Sequence, residues 1–176
     1  MLGGPVPIAA PAQANSVSQA RELIRKQRYN DAMTKLEEVL ESAPNHAEAL
    51  SYMGAVYLYN ERDFLKAQKF YEQSFRAGGS ASFWVSHSHE KLGGNELADY
   101  CRGWFYIRKN EVEFVTEESD HGFRLASSEV KELKQNRLAR TFFHIKDANR
   151  NFNFRPRTGD EGEIWLVLAL FKKFSQ

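Results

Sequence analysis

The stretch that most constrains this chain is residues 47–76, AEALSYMGAVYLYNERDFLKAQKFYEQSFR, because it specifies two helices and the way they pack. On the first, Leu50, Met53, Gly54 and Tyr57 recur at i, i+3, i+4 and i+7; on the second, Phe64, Ala67, Tyr71, Ser74 and Phe75 keep the same period. Each set therefore shares one helix face. A polar turn over residues 60–63 separates the helices, and the small residues Gly54 and Ala67 fall where two antiparallel helices must come closest. The pattern predicts a helical hairpin with an aromatic seam.

The same period precedes this stretch. With Pro44 closing the earlier unit, Ala32 takes the small inter-helix position, Tyr29 opens the second helix, Leu36 and Val39 lie on the packing face, and residues 26–28 form the turn. Residues 13–46 and 47–80 then read as two tandem units in phase, the second with one extra residue in its internal turn. Large apolar residue, Leu-Gly, Tyr, Ala, aromatic and closing Pro is the pattern of the tetratricopeptide repeat, which both units resemble, although Arg62 stands where the consensus has Gly. The resemblance implies a concave groove lined by the inner helices and holding a peptide or helix of another protein. Carried over, its lining is Val17, Arg21, Ile24 and Arg25 from the first unit, and Glu48, Ser51, Ala55, Leu58 and Tyr59 from the second. Arg21 and Arg25 stand one helical turn apart and can address one carboxylate or acidic peptide, with a solvated helix face as the plain alternative. The Lys and Asn that the carboxylate-capturing subgroup uses are not matched. A unit of this kind needs about three copies to bury its faces. The rest of the chain, or a second copy of it, must cover the open end.

Beyond Arg76 the chain reads AGGSAS, the expected domain boundary, and the period changes to 2. Alternation and turn residues predict seven short strands over 83–89, 101–109, 112–116, 121–126, 130–135, 141–146 and 151–155. Residues 159–174 then carry Asp160, Glu161 and Glu163 first and Lys172 and Lys173 last, the charge order that suits a helix dipole. Seven strands followed by one helix is the order of the pleckstrin-homology superfold. The segment resembles bacterial domains of that shape in HSHE followed by CRGWFYI, in HGFRL leading to SSEVKEL, and in FFHIKDANRNFNF. The expected class is α+β, with a leader over 1–12, two repeat-like hairpins over 13–80, and a barrel or sandwich with its terminal helix over 82–176. That helix is apolar nearly all round, so Trp165, Leu166, Val167 and Leu170 are expected to bury against the helical half or in a homodimer.

Composition narrows the function. The chain has 176 residues and a formal net charge of +1 with acid and base interspersed, which leaves no basic footprint for nucleic acid. The longest apolar run, residues 164–171, is too short to span a bilayer. Cys101 is the single cysteine, so neither an intrachain disulfide nor a multi-cysteine zinc cluster is expected, and a buried thiol on a strand reads as a small hydrophobe. Residues 1–12, rich in Gly, Pro and Ala, read as a leader or linker. Ala12-Gln13-Ala14 has the form of a signal-peptidase site without the preceding signal; the cytoplasm is favoured, with export as the alternative.

His87 and His89 share one side of a strand, as paired ligands do, with His121 or His144 as a third; His46 stands apart. Histidines hydrogen-bonding across the sheet are the simpler account, and no metal and no cofactor is expected. No nucleophile elbow, phosphate-cradling loop or His-Glu-x-x-His occurs. Of the cations that pleckstrin-homology domains use on phosphoinositides, Lys91, Arg102 and Arg108 are interleaved with Glu90, Glu96 and Asp99, a mixed face rather than a phosphate pocket. The expectation is a soluble, non-enzymatic adaptor or scaffold for another protein, with a membrane-surface adaptor reading anionic lipid as the alternative.

Overall fold

The protein is described by a computed structural model over residues 11–89, 100–118, 120–137 and 139–174. Lys91, Glu90, Glu96, Asp99 and the first ten residues lie outside the described residues. Helix α1 (Pro11–Arg25) takes in Ala12-Gln13-Ala14 and so starts two residues ahead of the expected unit. It ends where Gln27 enters the left-handed region at φ 63°; the N–H groups of Gln27 and Arg28 donate back to the carbonyls of Ile24 and Leu23, and α2 (Tyr29–Ser42) begins. His46 caps α3 (Ala47–Val56), its Nδ1 accepting from the N–H of Ala49 at 3.3 Å.

The extra residue of the second hairpin makes no longer loop. It is absorbed as a π turn over Tyr57–Glu61, after which Arg62 sits at φ 56°, a backbone region that a Gly fills without strain. Asp63 then caps α4 (Phe64–Arg76), accepting from the N–H of Lys66 at 2.8 Å. At the α3–α4 seam a Cβ on Gly54 would lie 2.7 Å from the ring of Tyr71, which is fully buried and donates its hydroxyl to the carbonyl of Ser82 at 2.7 Å.

Strands β1 (Ala81–Ser88), β2 (Tyr100–Ile107), β3 (Glu111–Thr116), β4 (Phe123–Ala126), β5 (Glu132–Gln135), β6 (Phe143–Lys146) and β7 (Asn151–Pro156) form one antiparallel sheet in the order β4-β3-β2-β1-β7-β6-β5. Two meanders thus join through the β1–β7 pair. Among the described residues no β4–β5 pairing is made, so the hydrogen-bonded ladder of the expected barrel or sandwich has two ends. On one face Phe105, Phe114, Phe123, Phe143 and Phe154 meet ring to ring, with centroids 5.1 to 6.2 Å apart.

Helix α5 (Glu161–Phe174) packs on β2 and β5 and runs beside α4. Leu166, Val167 and Leu170 are buried within the chain, and Trp165 is 54% exposed. Phe174 stacks on Phe75 at 4.1 Å, Lys173 meets Glu72 at 2.7 Å, and a Cβ on Gly162 would touch the ring of Phe64 at 2.8 Å. The flank of α4 that carries Phe64, Glu72 and Phe75 is therefore covered from within the chain, and of the four residues assigned to an interdomain or dimer contact only Trp165 faces solvent.

Two substitutions test this local reading by chemical denaturation. Gln27→Gly relieves a left-handed backbone at an exposed position and is expected to stabilise the fold by about 1 kcal/mol. Gly54→Ala, a gain in an ordinary helix, is expected to cost about 1–3 kcal/mol because the Tyr71 ring is held by its hydrogen bond.

Candidate functional site

The inner face of the helical hairpins, the expected groove, is occupied. Val17, Ile24, Ser51, Ala55, Leu58 and Tyr59 are all buried, with exposures from 0 to 7%, and cannot line an open channel. What fills the space is the face of β1 and β2 opposite the phenylalanine cluster. Ser51 donates to Ser82 at 2.9 Å, the hydroxyls of Tyr52 and Tyr106 meet at 2.9 Å, and Tyr52 packs edge-on to Trp104 at 5.2 Å. Two hairpins cannot cover so apolar a face alone, and the sheet does it for them. Only Arg21, Arg25 and Glu48 of the nine expected groove residues keep contact with solvent.

At the centre of this junction Glu163 is fully buried. Its carboxylate accepts the Tyr59 hydroxyl at 3.2 Å, and the N–H and hydroxyl of Thr158 at 3.0 and 2.7 Å; the Tyr59 oxygen in turn accepts the N–H of Trp84 at 2.6 Å. Burial pushes this carboxyl up to about 7, against the opposing pull of those hydrogen bonds. Beside it, Arg157 donates to the carbonyls of Ile24 and Arg25 at 3.2 Å each, capping the C-terminal end of α1. Cut off from water, Glu163 is a structural link between α5, β1 and the π turn that follows α3.

What remains open is a cleft where α1 borders β2 and β3. A shallow recess of about 40 Å³ is lined by Arg21, Arg25, Trp84, Arg102, Trp104 and Val115, together with the carboxylates of Glu22, Glu117 and Glu118. Through Arg21 and Val115 it continues into a wider one of about 420 Å³, reaching Glu48, Tyr106, Arg108 and Glu113. Val115 is 41% exposed on the sheet surface that the helices leave bare, and Trp84 is half-buried beneath. The arginines are not idle: Arg25 is bound to Glu22, and Arg21 lies 3.7 Å from Glu117. The pair expected to grip one carboxylate is thus divided between two internal ones.

The histidines separate into two groups. His46 is a helix cap, and His144 meets Glu132 at 2.7 Å. His87, His89 and His121 converge with Cys101, one donor atom from each lying within 4.8 Å of the others. His87 on β1 sits directly across the ladder from Cys101 on β2, with Nδ1 and Sγ 3.6 Å apart. His89 continues the same face, and its Nε2 meets Nδ1 of His121, just ahead of β4, at 2.9 Å. Burial among Phe114, Phe152 and Phe154, together with the two neighbouring imidazoles, pushes His87 down to about 4 and keeps it neutral. Sequence reasoning paired the histidines but left Cys101 out, because nothing in the chain states which β2 residue faces His87.

The sheet cations are mostly engaged. Arg108 and Arg124 both bind Glu113, and Lys146 meets Glu132 at 3.2 Å. Convergent unengaged cations of the kind a phosphate pocket requires are not found at these positions.

No family model and no curated protein sequence matches the chain. Among solved structures it overlaps the C-terminal domain of an unknown protein from Leishmania infantum, at 13% identity and TM-score 0.39, over 54% of this chain and 82% of the other. It also overlaps the N-terminal PH domain of human ARAP2, at 18% identity and TM-score 0.36, over 55% of this chain and 83% of that one. At these scores neither overlap assigns a function. The seven-stranded antiparallel sheet with its terminal helix is consistent with the pleckstrin-homology-like shape, and no helix among the described residues is long and apolar enough to cross a membrane.

Glu163 makes stability depend on pH. The unfolded chain releases this proton in the ordinary carboxylate range, whereas the folded one holds it to about 7. Its contribution is therefore complete below the ordinary range and is lost as pH rises through 7. Denaturation midpoints are expected to fall across that window, and Glu163→Gln to flatten the fall by roughly 3 kcal/mol.

Proposed function

We propose that this chain is a non-enzymatic interaction module for another protein, and that the cleft between α1 and strands β2 and β3 receives an extended segment of that partner. One observation carries the reading: indole, aliphatic and guanidinium groups, the residue types that concentrate binding energy at protein interfaces, meet in one cleft where exposed Val115 and Arg102 border half-buried Trp84 and Arg21, with buried Trp104 as its floor. A partner segment would lay an apolar side chain on Val115 and offer a carboxylate to Arg102 and Arg21. This moves the expected peptide from the inner face of the repeat-like hairpins, which is filled, to their border with the sheet. The shallowness of the recess favours a segment lying on the surface over an enclosed small molecule. Cys101 is only 2% exposed and out of a substrate's reach, which supports a role without catalysis.

A random-peptide display screen tests the proposal. Peptides enriched by the wild type are expected to carry an acidic residue beside an apolar one, to shift the indole N–H signals of Trp84 and Trp104, and to bind at least about tenfold more weakly to a Val115→Asp, Arg102→Glu variant. Peptides that bind the variant equally would discard the cleft. Sedimentation with anionic but not neutral liposomes, weakening as salt rises, would instead favour the membrane-surface alternative.

A further inference from the structure

We infer that His87, His89, Cys101 and His121 form a closed tetrahedral site for a Zn²⁺-like ion, pinning the ends of β1 and β2 to the segment ahead of β4. This departs from the sequence expectation of no metal, and the reason is Cys101. Three imidazoles alone could be a hydrogen-bonded cluster; a thiol brought by strand register into the same small volume makes a full set of four borderline-soft donors.

The four donor atoms lie within 4.8 Å of one another, so an ion draws the wider pairs together toward its own tetrahedral edges. Bonds of about 2.05 Å to nitrogen and 2.3 Å to sulfur give tetrahedral edges near 3.3 Å between nitrogens and about 3.6 Å between nitrogen and sulfur. Cys101 Sγ and His87 Nδ1 already stand 3.6 Å apart. His89 and His121, now 2.9 Å apart through a hydrogen bond, must open by a few tenths of an ångström to admit the ion. Both lie nearer the rim, half-buried and exposed, so this adjustment does not disturb the core, and the ion has a route in.

The surroundings agree. His121 leaves its other nitrogen on the side of Asp120, whose exposed carboxylate stands 3.6 Å away, beyond hydrogen-bond distance. His87 is backed by the rings of Phe114, Phe152 and Phe154, a low-dielectric wall that strengthens a thiolate–metal bond. The donors exclude Ca²⁺ and Mg²⁺, which take oxygen ligands. Four protein ligands leave no open position for substrate, so the ion would be structural.

The test uses the full chain stripped of metal by a chelator. One equivalent of Co²⁺ is expected to give tetrahedral visible bands with a thiolate-to-metal charge-transfer band. One equivalent of Zn²⁺ should displace it and raise the melting temperature. Cys101→Ser should remove the charge-transfer band. His89→Gln and His121→Gln, both near the rim, should each weaken Zn²⁺ at least about tenfold with the circular dichroism unchanged. His144→Gln should leave binding intact. A wild type without the charge-transfer band, or binding that survives in the His89→Gln, His121→Gln double variant, would overturn the assignment and leave a hydrogen-bonded histidine cluster.

Discussion

Covering the inner face of two helical hairpins is the constraint from which the rest of this structure follows. Ala49, Ala55, Val56 and Leu58 of the second hairpin are excluded from water, and a pair of hairpins offers no third unit to exclude it. The outer face of β1 and β2 supplies the cover, and it is polar enough to need partners. Ser82 therefore meets Ser51, Tyr106 meets Tyr52, and the N–H of Trp84 reaches Tyr59. Such buried pairs fix the docking angle in a way that apolar contact alone does not. Glu163 extends the same network to α5, so that helix, sheet and hairpin share one set of hydrogen bonds around a carboxyl held at the edge of ionisation.

The period-2 stretches were the most legible part of the sequence. Each of the seven expected strands has its counterpart within a few residues, and the charge order of residues 159–174 marks α5 to within two residues of its start. The helical half was legible for the same reason: Gly54, Ala67 and Tyr71 announce a close seam, and the Gly position occupied by Arg62 does have a positive φ. The π turn was visible only as a surplus residue, since its effect depends on whether the chain widens a helix or lengthens a loop.

What stayed hidden was tertiary. Val17, Ile24 and Ala55 carry the same local pattern whether a groove is empty or filled, and only the sheet's arrival decides. Cys101 faces His87 through the β1–β2 register, and His121 comes to the pair from beyond β3. Neighbours on a strand point to opposite faces, so Cys101 belongs to the histidine cluster while Arg102 belongs to the cleft. The two sites are one residue apart. The backbone N–H of Arg102 donates to Glu118 at 2.7 Å and its carbonyl accepts from Thr116 at 2.6 Å, so the start of β2 and the end of β3 hold both sites in common.

The four residues between α4 and β1 carry a consequence for how such a chain can grow. Tyr71 on α4 reaches Ser82 on β1, and Ser74 accepts from the N–H of Ser80 and donates to its carbonyl, so hairpin and sheet are stitched across a short connection. A further helical unit inserted there would uncouple both. One added ahead of α1 would leave every one of these bonds in place. An array built on this plan lengthens from one end only, with the sheet as its permanent terminus.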